Sequence, residues 1–301
     1  MGMDRREFMR LAGIGGAVFA SGLPGWVRAQ GYAARSAEDF YFVQLSDLHW
    51  GFSDPKVNPD FAGTLGKAIA AVNGLTEQPD FVVFTGDLTH NTDDPRERRR
   101  RLGQVKEMAD ALTVKNLKFM PGEHDAALDS GKAFAELFGQ SYYTFDHKGV
   151  HFIALDNVSD PAAALGDEQL RWLAADLASR DQEAPIVVFA HRPLFDLAPQ
   201  WDWATRDGAR AIALLMPFTN LTVFYGHIHQ ENHHMTGHIA HHSAKSLMFP
   251  LPAPLSQPKR APLPWNPNEP YRGLGFREVE LEQKGIKVAI QELPVVKPGA
   301  A

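Results

Sequence analysis

The chain has 301 residues and no cysteine, with 44% hydrophobic and 22% charged residues and a formal net charge of -6. This is the composition of an ordinary globular protein with ample length for a core. The missing cysteines exclude disulfides, thiolate metal sites and thiol nucleophiles, and the acidic balance argues against a nucleic-acid polymer as partner.

Residues 1–29 read as a targeting segment. Arg5-Arg6 is followed by apolar Phe8 and basic Arg10, then by a mild apolar stretch from Leu11 to Leu23 rich in Gly and Ala. Val27 and Ala29 supply small residues at positions -3 and -1 of a cut after Ala29. The stretch is too short and Gly-rich for a stable membrane span. The expectation is a twin-arginine signal, read by the twin-arginine export machinery, and a periplasmic or otherwise exported protein whose single domain covers 30–301. Its removal takes away four basic and two acidic residues, so the mature chain is still more acidic.

Beyond it, strand and helix signals alternate. Phe40 to Leu45 reads as a buried strand, followed by a loop from Ser46 to Asn58. Leu65, Ile69 and Val72 have the spacing of one helix face between Phe61 and Leu75. Asp80 to Thr85 is an apolar run of strand length, and Pro95 opens a helix to about Leu112. Its Arg96, Arg98, Arg99, Arg100 and Arg101 read as a solvated face beside Glu97 and Glu107 rather than as a phosphate clamp. Leu117 to Met120 is a further short strand, so the first half predicts a largely parallel α/β sheet. Tyr142 to Asp146 and Val150 to Asp156 flank Lys148-Gly149 as a hairpin. A helix from Gly166 to about Ser179, a buried strand from Pro185 to Ala190, a helix from Arg206 to Leu215 and a strand from Leu221 to Tyr225 follow. Alternating patterns around His233 to Ser243 precede a Pro-rich surface loop from Pro250 to Pro270. Gly273 to Glu280 and Gly285 to Leu293 predict an antiparallel pair that joins the second sheet.

One design recurs along these elements: an apolar run ends, and a His or carboxylate stands at its C-terminal end. In open α/β sheets that is where functional crevices lie. Asp87 follows the run Phe81 to Thr85, and His191 follows Ile186 to Ala190. Asp47 and His49 are spaced i, i+2, as are His227 and His229; in extended backbone each pair presents two ligands to one cavity. Without cysteine, a transition metal here is held by His and carboxylate, which favours Mn, Fe or Zn.

The ordered blocks Asp47-Leu48-His49, Gly86-Asp87, Gly122-Glu123-His124-Asp125, His191 and Gly226-His227-Ile228-His229 resemble the calcineurin-like metallophosphoesterases. Ser46-Asp47-Leu48-His49, Gly86-Asp87-Leu88-Thr89 and His191-Arg192-Pro193-Leu194 are most similar to the bacterial branch that includes cyclic-nucleotide phosphodiesterases. The resemblance implies a four-layer α/β/β/α sandwich and two metal ions. Asp47, His49, Asp87 and His229 would hold the first ion; Asp87 would bridge to the second, completed by Glu123, His191 and His227. It implies hydrolysis of a small phosphodiester or phosphomonoester by a metal-bridging hydroxide. His124 corresponds to the family's catalytic histidine, and Asp125 is expected to orient its ring. His90 is a candidate for lining the substrate pocket.

One residue departs from the pattern. Glu123 stands where the family carries Asn, so three carboxylates face the two ions. The expected consequences are weaker attraction for an anionic phosphate, a less acidic bridging water and a preference for a more highly charged ion such as Fe(III). Alternatives to a phosphodiesterase are a phosphatase for small monoesters and a metal- or ligand-binding protein whose hydrolysis Glu123 has weakened. The remaining histidines, His233, His234, His238, His241 and His242, read as solvated strand faces rather than a third metal site. Trp50 and Phe52 are candidate pocket walls, and Trp201, Trp203 and Trp265 candidates for stacking on a base or sugar.

Overall fold

The computed structural model describes residues 17–20, 39–282 and 287–296. Apart from Ala17–Ala20, a short strand (β1), the expected targeting segment lies outside the described residues.

Two six-stranded sheets stack face to face. The first has the order β1, β12 (Lys287–Pro294), β11 (Gly275–Glu282), β2 (Phe40–Leu45), β3 (Phe81–Thr85), β4 (Leu117–Met120). The second runs β5 (Tyr143–His147), β6 (Val150–Ala154), β7 (Ile186–Phe189), β8 (Leu221–Tyr225), β10 (Ile239–Ser243), β9 (Asn232–Thr236). Helices α1 (Thr64–Asn73), α2 (Pro95–Ala109), α3 (Glu123–Ala126) and α4 (Lys132–Phe138) follow the strands of the first sheet, and α5 (Gly166–Leu177) and α6 (Gly208–Leu215) those of the second. The four-layer expectation is borne out.

The strand sequences show why. β2 is apolar throughout apart from Gln44 because both its faces are covered. Phe40 and Phe42 point between the sheets, while Tyr41, Val43 and Leu45 point outward to Leu65, Ile69, Leu102 and Val105 of α1 and α2. Between the sheets Phe42 stacks on Phe81 (centroids 4.9 Å, 9°) and meets Phe152, Phe189 and Phe224 edge-on, the arrangement that aromatic quadrupoles favour. Ile153, Val188 and Val223 alternate the other way and pack on α5 and α6. At α2, Asp94 accepts from the backbone N–H groups of Arg96 and Glu97 and Pro95 fills the first helical turn, a strong start signal.

The structure corrects one placement. β11 and β12 join the first sheet, where Val279 pairs with Phe42 antiparallel. β2 is buried on both faces, so an open edge there would strand backbone groups away from water. Val279, Leu281 and Ile290 extend the core of Phe40 and Phe42. Arg277, fully buried, pairs with Glu292 at 2.5 Å and donates to the Ser243 carbonyl of β10, tying one sheet to the other. Helices α3 and α4 carry no periodic signal in the sequence, because four and seven residues are too short for one.

Candidate metal centre

At the C-terminal ends of β2, β3, β7 and β8 the loops converge. Asp47 N–H donates to Gly86 O (3.1 Å), His49 N–H to Asp87 O (2.9 Å) and Trp50 N–H to Leu88 O (3.0 Å), so the loops after β2 and β3 are zipped together. His227 N–H donates to the Asp47 carboxylate (3.1 Å), which fixes the loop after β8 against them. Gly122 and Gly226 permit this approach: a Cβ on the first would strike Asp87, and one on the second would strike Ser46 Oγ and Asp47.

Asp47, His49, Asp87 and His229 each offer a ligand atom within 4.8 Å of the others, and so do Asp87, Glu123, His191 and His227. Asp87 belongs to both sets. Its Oδ2 lies 3.5 Å from His49 Nε2 and its Oδ1 3.6 Å from His191 Nε2. His49 Nε2 and His229 Nε2 are 3.0 Å apart, and Glu123 sits between His191 Nε2 (2.9 Å) and His227 Nδ1 (3.0 Å). Every one of the seven is buried except Glu123, which is nearly so.

The paired ligands do not converge by extended alternation. Asp47 (φ 54°), His49 (45°), Asp87 (47°), His227 (65°) and His229 (54°) all adopt the left-handed region. Asp and His tolerate it better than most side chains, yet each such residue costs on the order of 1–3 kcal/mol. The loops curl rather than extend, and the i, i+2 spacing works through that curl.

The hydrogen-bond partners assign tautomers that suit metal ions. A carbonyl oxygen can only accept. His191 Nδ1 lies 2.7 Å from Thr85 O, His229 Nδ1 2.7 Å from Phe249 O and His227 Nε2 2.8 Å from Asp202 O, so each of these nitrogens carries the proton. The other nitrogen of His227 and of His229 then turns a lone pair inward, and so does that of His191 once the proton it holds between Asp87 and Glu123 is displaced. Lone pairs facing carboxylates repel unless a cation lies between them, and outer carbonyls that fix the tautomer are the usual partners of metal-bound histidine.

Electrostatics agree. Burial pushes the Asp87 carboxyl up, and Glu123 adds to this, but the His124 and His191 rings outweigh both and hold it below the usual carboxylate range. Against its burial, His191 is raised well above the usual imidazole value by Asp87 and Glu123. A proton on His191 thus stands where the two carboxylates call for a cation. Burial, aided by His124 and His229, leaves His49 neutral despite Asp87.

A hydrogen-bonded chain supports Asp47 from beneath. Gln44 Nε2 donates to Thr85 Oγ1 (2.9 Å), Thr85 Oγ1 to Ser46 Oγ (2.9 Å) and Ser46 Oγ to Asp47 Oδ2 (2.6 Å). Gln44 also donates to Tyr225 O of the other sheet (3.2 Å).

His124 Nδ1 accepts from the Asn91 N–H (3.0 Å), so in the neutral ring the proton is on Nε2, 3.8 Å from Asp87 Oδ2 and 4.0 Å from Glu123 Oε1. Asp125 does not orient that ring. Its two oxygens accept from the backbone N–H groups of Gly122, Leu88 and Thr89 and from Thr89 Oγ1 (2.8–2.9 Å), stitching the third block to the loop after β3. The sequence motif could not reveal this, because backbone donors from another loop outcompete the neighbouring ring. His90 stacks on His124 (5.3 Å, 28°), and burial with His124 nearby pushes its value down to about 4.

The remaining candidates are placed as follows. Trp201 and Trp203 are core residues, and Trp265 packs edge-on against Tyr271. Phe52 packs on Phe249 and His90, whereas Trp50 donates to Gln104. Arg98, Arg99, Arg100 and Arg101 are engaged by Asp129, Glu136 and Glu97. His241 and His242 are buried rather than solvated. Three residues near the second set were missed: Arg192, Asp202 and Arg260. Only Arg192 had a signal, its place directly after His191.

Two stacked sheets with a carboxylate shared between two His-rich ligand sets define a dinuclear metallohydrolase-type centre. The family model for the calcineurin-like phosphoesterases matches residues 40–231, and the chain belongs to that family. It is 28% identical over 180 residues to the rat serine/threonine-protein phosphatase CPPED1, covering 52% of this chain and 57% of that one. It is 28% identical over 208 residues to the Enterobacter lignolyticus glycerophosphodiester phosphodiesterase GpdQ, covering 64% and 71%. A zebrafish (Danio rerio) dimetal phosphatase has the same fold, with a TM-score of 0.65 at 15% identity over 86% of this chain and 97% of that one.

Proposed function

We propose that the chain hydrolyses a small phosphoester, a diester by preference, in the periplasm or another exported compartment reached by the twin-arginine route. The observation that carries the reading is the shared Asp87 carboxylate between two sets of inward-facing donors. Asp47, His49, Asp87 and His229 would hold one ion, and Asp87, Glu123, His191 and His227 the other, with Mn, Fe or Zn suited to this donor set. Such a pair of ions, when bound, supplies Lewis-acid charge and an acidified water.

The chain's own residues do the rest. Thr85 O, Phe249 O and Asp202 O hold three imidazoles in the tautomer that presents a lone pair inward. Asn91 N–H keeps the His124 proton on Nε2, aimed at the centre. From there the Nε2–H can donate a hydrogen bond to a phosphoryl or leaving-group oxygen as charge develops on it. His90, stacked on His124, forms one wall for the ester, and Asp125 keeps the block carrying Glu123 and His124 against the loop after β3. The match to a glycerophosphodiester phosphodiesterase and the motif likeness to the cyclic-nucleotide branch support a diester; the match to a phosphatase supports a monoester as the second reading.

The test is elemental analysis of protein purified from its own host, with turnover of bis(p-nitrophenyl) phosphate against p-nitrophenyl phosphate. The expected result is two metal equivalents and faster diester turnover, with metal and activity both lost in Asp87→Ala. A fully metallated wild type inert toward both esters would replace this reading with a binding protein of the same fold.

A further inference from the structure

Glu123 brings a third carboxylate to a site that must attract an anion, and the surroundings answer it. Arg192 is almost wholly buried behind Glu123, with Nη2 3.8 Å from Glu123 Oε1. Its Nη1 donates to Asp202 O (3.0 Å) and pairs with Asp202 Oδ1 (2.5 Å). The Pro-rich segment between Pro250 and Pro270 then delivers a second guanidinium. Arg260 Nη1 lies 3.3 Å from His227 Nε2, and Nη2 lies 3.6 Å from Asp202 Oδ2.

The two arginines differ in what their donors do. Arg192 spends its Nη1 on Asp202. Arg260 does not spend its own: His227 Nε2 already carries the proton given to Asp202 O and has no lone pair to accept another. At 3.6 Å, the Asp202 oxygen is beyond hydrogen-bond range of Nη2. Arg260 is thus held beside the second ligand set by charge, one-third exposed, with its fork of donors open. Asp202 is the hub. Its backbone oxygen fixes His227, its carboxylate holds both arginines, and it takes a left-handed φ of 65° to do so.

We propose that Arg260 is a substrate-binding residue that takes a non-bridging phosphate oxygen, and that Arg192 neutralises Glu123; this rests on the reading of the site as a phosphoester site. The four carboxylates Asp47, Asp87, Glu123 and Asp202 cancel the charge of two divalent ions. The surplus that draws in an anionic ester then resides on the two guanidiniums. Glu123 therefore relocates the attraction from metal to arginine rather than abolishing it. Arginine suits the task because its planar fork matches phosphate oxygens.

The experiment uses the full metal-loaded protein with Arg260→Gln and Arg260→Lys. Inorganic phosphate binding is measured by calorimetry, KM and kcat with both p-nitrophenyl esters, and metal content by elemental analysis. Arg260→Gln should weaken phosphate binding and raise KM for the singly charged diester about tenfold, the scale of one charge-assisted contact. The doubly charged monoester should suffer more, kcat should change little, metal content should be unaltered, and Arg260→Lys should recover part of the loss. Phosphate affinity and KM that are unchanged in Arg260→Gln, or a metallated wild type that binds no phosphate, overturn the proposal. Phosphate binding that weakens in the variant while neither ester turns over would uphold Arg260 and overturn the hydrolytic reading.

Discussion

Thr85→Val cuts the chain of hydrogen bonds under Asp47 while nearly preserving side-chain volume. Thr85 Oγ1 accepts from Gln44 (2.9 Å) and donates to Ser46 (2.9 Å), which in turn donates to Asp47 at 2.6 Å. Without the hydroxyl, Gln44 Nε2 keeps its bond to Tyr225 O, and Ser46 keeps its donation to Asp47 but loses the donor that polarised it. The Thr85 carbonyl still receives the His191 proton, so that ligand is untouched. One buried group loses part of its satisfaction, which costs the fold about 1–2 kcal/mol. For a protein of this size that lowers the melting temperature by about 2–8 °C. The larger effect falls on the metal centre: Ser46, the direct partner of Asp47, stays but is less firmly held, so metal affinity should weaken by about tenfold, the low end of what losing an outer-shell partner costs. Metal titration of the apo protein, monitored by calorimetry with a competing chelator, reads the affinity, and thermal melts of the apo protein read the fold. Thr85→Ser should restore both. If Thr85→Val melts lower but binds metal within a factor of about three of wild type, the chain is packing alone and its link to Asp47 as a ligand is wrong.

His124→Ala should lower kcat by about 10²- to 10³-fold, the cost of removing one donor aimed at the developing charge, and leave both metal equivalents in place; loss of metal instead would make His124 a ligand. The His191 ring, raised well above the usual imidazole value by Asp87 and Glu123, holds a proton in the metal-free protein at neutral pH. Metal must displace that proton, so affinity should fall as pH is lowered through and below the raised value, by up to about tenfold per pH unit for one proton. Calorimetry in buffers of different ionisation enthalpy should detect its release, and binding without proton release would contradict the assignment.

Much of the frame was legible because its physics is local. The apolar runs at Phe40–Leu45, Phe81–Thr85 and Leu221–Tyr225 carried strand length and burial, and Asp94-Pro95 carried a helix start. Ligand identity was legible for the same reason: in a chain without cysteine, His and carboxylate are the strongest ligands for a transition metal, and they stand where strands end. Errors arose wherever a remote segment set the outcome. Asp125 neighbours His124 in sequence, yet the backbone N–H groups of Leu88 and Thr89 take its oxygens. The last two strands went to the sheet with the buried open edge, a property of β2 and not of their own residues.

The sequence by itself determined which side chains could meet a metal and the order in which they come, because residue chemistry and apolar patterning are written residue by residue. Tertiary structure alone decided how they meet. Five ligands converge through left-handed backbone that loop-to-loop hydrogen bonds impose. The imidazole tautomers are set by carbonyls 20 to 106 positions away, those of Thr85, Phe249 and Asp202. Arg260 reaches His227 only because the Pro-rich segment folds back over the site. Each of these depends on distances between residues far apart in the chain, and no local pattern encodes such distances.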